Sequence, residues 1–217
     1  MDQVVVTTGG GPVSLATRGA EGAWLTRNVR GNAVWPSWRP GRLEIAASVS
    51  NAERGSVVDV VDLQSENFRT NSSFSIGGEL TAIAPRIPHY VMWSPDGSML
   101  SIVSRKGDTL GLTCFSPETG TSGAEVLGAP IFSGWTADSR LIVVHAGPRL
   151  LLVEPLSGDV LRTISEGAVG FRAPAVSASG RIIYAEPRDG ALRVMQTITE
   201  RDESSELANF AAGAVLA

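Results

Sequence analysis

The chain has 217 residues, 43% of them hydrophobic and 18% charged, which is too apolar for a disordered protein and ample for a buried core. Its 18 basic and 22 acidic side chains leave a net charge of −4, which argues against a nucleic-acid or anionic-membrane partner. The 24 glycines and 12 prolines exceed ordinary usage and point to many turns.

In chain order, the N-terminus shows no basic segment leading into an apolar one, so it does not read as a secretory leader. Residues 3–8, 13–18 and 23–26 read as three short strands separated by glycine-rich turns at 9–12 and 19–22. No Lys-Ser/Thr pair follows Gly9-Gly10-Gly11-Pro12, so this is a hairpin turn and not a phosphate loop. Four units then repeat one plan. They open at Trp38-Arg39-Pro40-Gly41, Trp93-Ser94-Pro95-Asp96-Gly97, Trp135-Thr136-Ala137-Asp138-Ser139 and Val176-Ser177-Ala178-Ser179-Gly180. After each opening comes an apolar run, a polar turn, a second apolar run, a further turn and a shorter last strand. The candidates for the first strand of each unit are residues 30–38, 89–94, 129–135 and 171–176. The openings recur roughly every 41–55 residues, against the ~40–45 of a four-stranded propeller blade. Residues 75–88 hold the excess of the longest interval and read as a rim connection. No segment sustains a helical apolar period over three turns.

The reason for the recurring residues is turn chemistry. Proline fixes φ at the first corner, aspartate bonds nearby backbone, and glycine accepts φ > 0. The tryptophan before the turn wedges between blades while its N–H finds an acceptor.

Trp93-Ser94-Pro95-Asp96-Gly97, running into Ser98-Met99-Leu100-Ser101-Ile102-Val103-Ser104, resembles the TolB-type (WD40-like) β-propeller repeat. Leu25-Thr26 ahead of Pro36-Ser37-Trp38 is similar to that family's blade junction. Similar repeats precede the catalytic domain of prolyl-oligopeptidase-type enzymes. The resemblance implies an all-β propeller of four-stranded antiparallel blades in a single domain over 1–217. The expected division is a partial blade 1–27, then blades 28–78, 79–123, 124–164 and 165–207. Residues 208–217 then either close a five-bladed ring or begin the next blade of a larger, incomplete propeller.

The chain offers little chemistry. Cys114 is the single cysteine, so no internal disulfide forms, and its apolar surroundings read as a buried structural thiol. His89 and His145 lack partners at metal-ligand spacing and read as structural. Asp59 and Asp62, three apart on one strand, point to opposite faces and do not form a pair. The run Glu200-Arg201-Asp202-Glu203 reads as a solvated turn. Gly120-Thr121-Ser122-Gly123 has the wrong spacing for a hydrolase nucleophile elbow. Trp35 and Trp38, also three apart, are expected on opposite faces, one packed between blades and the other at a rim.

The resulting expectation is a non-enzymatic scaffold with no catalytic residue, no metal and no cofactor. The resemblance implies a protein or peptide partner at a propeller rim or central tunnel, without membrane insertion, and a periplasmic location. The missing leader makes the chain cytoplasmic as written. The second expectation is a propeller that gates substrate access to a separate serine-peptidase domain.

Overall fold

The computed structural model describes residues 3–7, 12–30, 33–51, 55–76, 90–169 and 174–210. These residues form twenty strands and no helix. A three-stranded sheet holds β1 (Gln3–Thr7), β2 (Val13–Arg18) and β3 (Trp24–Arg30) in that order. A four-stranded sheet follows: β4 (Ala33–Trp38), β5 (Glu44–Asn51), β6 (Gly55–Asp62) and β7 (Thr70–Ser75). The third sheet is β8 (Tyr90–Trp93), β9 (Leu100–Lys106), β10 (Thr109–Ser116) and β11 (Thr121–Ser122), with β12 (Val126–Gly128) also on β10. The fourth is β13 (Ile131–Trp135), β14 (Ile142–Ala146), β15 (Arg149–Val153) and β16 (Val160–Ser165). The last is β17 (Ala175–Val176), β18 (Arg181–Arg188), β19 (Ala191–Ile198) and β20 (Ser204–Phe210). The sheets are antiparallel meanders, except that β12 returns to β10, and the expected all-β architecture is what the chain adopts.

Two compact units divide the chain. One comprises Met1–Trp93, Gly97–Arg105 and Phe115–Thr121, the other Ser94–Asp96, Lys106–Cys114 and Ser122–Ala217.

In the first unit, β5 and β6 are sandwiched. Ile45, Ala47, Val57 and Val61 pack toward Val13, Leu15 and Val29 of the first sheet. Their neighbours Ala46, Val58 and Val60 pack the opposite way, with Val91, Trp93, Leu100 and Ile102. Burial on both faces explains why these strands read as continuous apolar runs and not as an alternation. In the second unit Val143, Leu150, Leu152, Ile182, Tyr184 and Met195 form the corresponding core. Each fully buried Val, Leu or Ile contributes roughly 1.5–3 kcal/mol relative to exposure.

The turn reading holds at the level of backbone angles. Gly97, Ser139 and Gly180 occupy the same fourth turn position at φ 72°, 63° and 73°. The first unit of the repeat differs, with Pro40 then Gly41 at φ 71° inside a turn closed by Arg42 N–H to Arg39 carbonyl at 3.3 Å. That is the type II arrangement, with glycine one position earlier. A Ser or Thr hydroxyl at the first turn position bonds the third: Ser94 Oγ donates to Asp96 at 2.6 Å and Thr136 Oγ1 to Asp138 at 2.6 Å.

Three expectations need correction. Phe210 ends β20 and does not start a further strand, while residues 211–217 lie outside the described residues. The third strand of the first sheet runs to Arg30, past the expected end at Thr26. Trp35 and Trp38 are both substantially exposed, at 55% and 37%, so neither is the packed member of the pair.

Candidate functional site

The residues weighed for chemistry lie apart. Cys114 is buried in β10, and burial together with the charge of Glu154 pushes its thiol up to about 12. His145 is buried in β14, its Nε2 3.2 Å from the Ala168 carbonyl. Asp59 is buried in β6, where Ser73 Oγ donates to it at 2.7 Å, and Asp62 accepts the Gln64 N–H in the following turn. Glu200, Arg201, Asp202 and Glu203 form an exposed turn, with Asp202 3.5 Å from Arg162. Gly120 turns at φ 70°, and the Gly123 N–H bonds the Cys114 carbonyl. His89, Gly9, Gly10 and Gly11 lie outside the described residues, as does most of 75–88. Among the described residues no group of three His, Cys, Asp or Glu side chains is placed to hold a metal ion. Among them, too, no helix is long and apolar enough to cross a membrane.

Two constellations stand out, one structural and one exposed. The structural one is built on Trp93 and Arg39. Trp93 is buried, and its Nε1–H donates to the Ser37 carbonyl at 3.0 Å. Arg39, only 5% exposed, lies over its ring at 4.7 Å. The Arg39 guanidinium also donates to the Gly97 carbonyl, to Glu44 and to Glu118, each at 2.7 Å. With an acceptor on each of its three nitrogens, this buried cation is compensated. It pins the β4–β5 turn to two turns of the next sheet, β8–β9 and β10–β11. The bond to Arg39 holds the Glu118 carboxyl below its ordinary value, Arg42 at 3.0 Å adding to the effect.

The exposed constellation begins at Trp35. In β4 the pairing steps from Val34–Ser48 to Ser37–Ala46, so Trp35 and Pro36 together face the single position of Ala47. That is a β-bulge, and it re-aims the bulged side chains. It also breaks the period of two on which the opposite-face expectation for Trp35 and Trp38 rested. Trp35 takes φ 54°, a left-handed conformation that bulky residues rarely adopt and that costs roughly 1–3 kcal/mol. Proline next in sequence ordinarily drives its predecessor to extended backbone. The ring faces Tyr90 at the start of β8, with centroids 6.5 Å apart and planes tilted by 45°. Tyr90 is itself 52% exposed. Nothing in the sequence marks Tyr90 as Trp35's neighbour, because 55 positions separate them. The Trp-Pro pair inside a strand is the one local signal.

Trp38 has a separate explanation. It holds the same register as Trp93 and Trp135, pairing with Ile45 as they pair with Leu100 and Ile142. Trp93 donates to the first strand of the sheet before its own. The sheet before Trp38 has three strands among the described residues, where the sheet before Trp93 has four.

The sequence matches no protein family and no curated protein. Solved structures do match it. The Dos1 propeller aligns with 97% of the chain at TM-score 0.66 and 11% identity. The β-propeller domain of the Trilobed protease from Pyrococcus furiosus aligns with 94% at 0.55 and 16%. A structure of prolyl endopeptidases aligns with 94% at 0.61 and 14%. The chain has the β-propeller fold. It spans 57%, 70% and 32% of those three chains, and 66% and 51% of two other matched ones. At such identities the likeness speaks for the fold alone, since propellers host unrelated functions.

Proposed function

We propose that the chain is a non-catalytic propeller scaffold, of the kind its TolB-like repeat suggests, that binds an extended segment of another polypeptide at Trp35 and Tyr90. The observation that carries this is Trp35: strained backbone and an exposed indole on the same residue. Strained conformations concentrate at ligand clamps and switch regions. Exposed Trp and Tyr are also the side chains that dominate the energy of protein–protein contacts. An aromatic pair on neighbouring first strands suits an extended peptide, whose alternate side chains fall between rings.

A displayed random-peptide library tests the reading. Peptides selected on the wild type should lose binding to Trp35→Ala and Tyr90→Ala while both variants melt with the wild type. Selected peptides that bind the variants equally well would remove the aromatic site. Turnover of peptides by the purified chain would remove the non-catalytic reading.

The likeness to propellers of proteases favours one other reading, a domain that gates access to a peptidase active site. It requires a hydrolase domain in the same reading frame, which sequencing the frame on both sides of this segment would reveal.

A further inference from the structure

The second unit carries a recess with unspent cationic donors. It lies at one end of the last sheet, holds about 220 Å³, and is lined by Arg181, Gln196, Ile198, Arg201, Glu203 and Ser205 among others. That is room for roughly seven water volumes at ~30 Å³ each. Register pairs Arg181 with Ile198, Ile183 with Gln196, and Gln196 with Ser205, so Arg181, Gln196, Ile198 and Ser205 share a sheet face. The turn from β19 to β20 supplies Arg201, anchored by its N–H on the Ile198 carbonyl at 3.0 Å.

What distinguishes the recess is that two unpaired cationic donors line one small space, Arg149 and Arg188 being further arginines without an ion-pair partner among the described residues. Arg39, Arg42, Arg140, Arg162 and Arg193 all sit within ion-pair distance of carboxylates. Among the described residues neither the Arg181 nor the Arg201 guanidinium has a hydrogen-bond or ion-pair partner, although Glu203 lines the same space. Ser205 Oγ accepts the Gln196 amide at 3.1 Å, which leaves its own proton free to donate. A larger recess in the first unit, about 590 Å³ around Arg42, Glu44 and Asp62, offers no such surplus. There Arg42 is paired with Glu118, and Glu44 with Arg39 and Asn71.

We propose that the Arg181–Arg201 recess binds a tetrahedral oxyanion of the phosphate class. Two planar guanidinium forks match phosphate oxygens bidentately, and a dianion relieves the repulsion between two like charges lining one small space. The Ser205 hydroxyl adds a neutral donor on the same face. Glu203 works against binding, and this yields a prediction of opposite sign to the arginines.

The test is calorimetric titration of the whole chain with inorganic phosphate, and separately with O-phosphoserine, at ionic strength matched by chloride. Wild type should bind saturably. Arg181→Gln and Arg201→Gln should each weaken binding about tenfold or more, as expected for loss of a charge-assisted contact. Glu203→Gln should tighten it, and Arg188→Gln, at the far end of the same strand, should leave it unchanged. Melting curves confirm that these exposed substitutions leave the fold intact. Saturable binding of phosphoserine alone would identify a phosphorylated side chain as the source of the phosphoryl group, and binding of both would identify small phosphates. Absence of saturable binding of either ligand to the wild type would overturn the proposal. So would arginine variants that bind as the wild type does, or an equal loss in Arg188→Gln.

Discussion

At the scale of single residues, Trp93 and Arg39 show how much one side chain can hold. Trp93→Ala removes a buried ring and strands the Ser37 carbonyl, so it should lower stability by roughly 3–5 kcal/mol in urea unfolding. Trp38→Ala, at the same register but 37% exposed, should cost less, roughly two-thirds as much on area alone, because less area returns to water. Equal midpoints for the two variants would mean that burial is not what distinguishes them. Glu118 gives a pH test of the Arg39 cluster. Its carboxyl titrates below the ordinary 4.5 in the folded state, so its stabilisation is present above that value and fades as pH falls through the lower, folded one. Wild type should therefore lose melting temperature more steeply than Glu118→Gln on acidification below about pH 4.5, and parallel curves would count against the pair. The role of Trp93 was legible because the repeat places a tryptophan before three of its four turns. The role of Arg39 was not, since two of its acceptors lie 58 and 79 positions away and no local pattern records them. Trp35 was misplaced for a different reason: parity along a strand predicts faces only until a bulge resets it.

Among elements, the turns decide most. Ser139 stands where Gly97 and Gly180 stand, at φ 63° and buried, and its hydroxyl accepts the Asp96 N–H at 3.0 Å. Ser139→Gly relieves the left-handed strain but gives up that bond; with each effect near 1 kcal/mol, the midpoint should barely move. Ser139→Val keeps neither advantage, placing a β-branched residue at positive φ and giving up the bond from Asp96, and should cost roughly 2–4 kcal/mol. A valine variant as stable as the glycine one would refute this account of the turn. The hairpin joining β18 to β19 is equally local, with Asp189 and Gly190 both at positive φ between the paired Arg188 and Ala191. Such an Asp-Gly pair is a strong hairpin signal. Where turns carry this chemistry, the strand ends that run into them, at Trp38, Trp93, Trp135 and Val176, were readable to within a residue, but most of the strand starts were not. The short β12 was not foreseen, because three residues on one edge of β10 leave no period to detect.

For the molecule as a whole, the meander of sheets was legible because it repeats, and a repeated weak pattern outweighs any single copy. Its surface chemistry was not, because Trp35–Tyr90 and Arg181–Arg201 are each assembled from strands or turns that the sequence keeps apart. One feature of the interior has a practical consequence. Cys114 is the chain's sole thiol, is 1% exposed, and is held protonated far above neutral pH. A small thiol reagent can modify it only after β10 leaves its neighbours, so labelling kinetics become a clock for the opening of the sheet around that strand. At low reagent concentration the modification rate should scale with reagent and fall far below that of a free cysteine. At high concentration it should level off at the opening rate itself. Mild urea should hasten it, and modification at the free-thiol rate under native conditions would show that the strand is not closed. A single unengineered atom thus reports, without a fluorophore or an isotope, how often this part of the protein breathes.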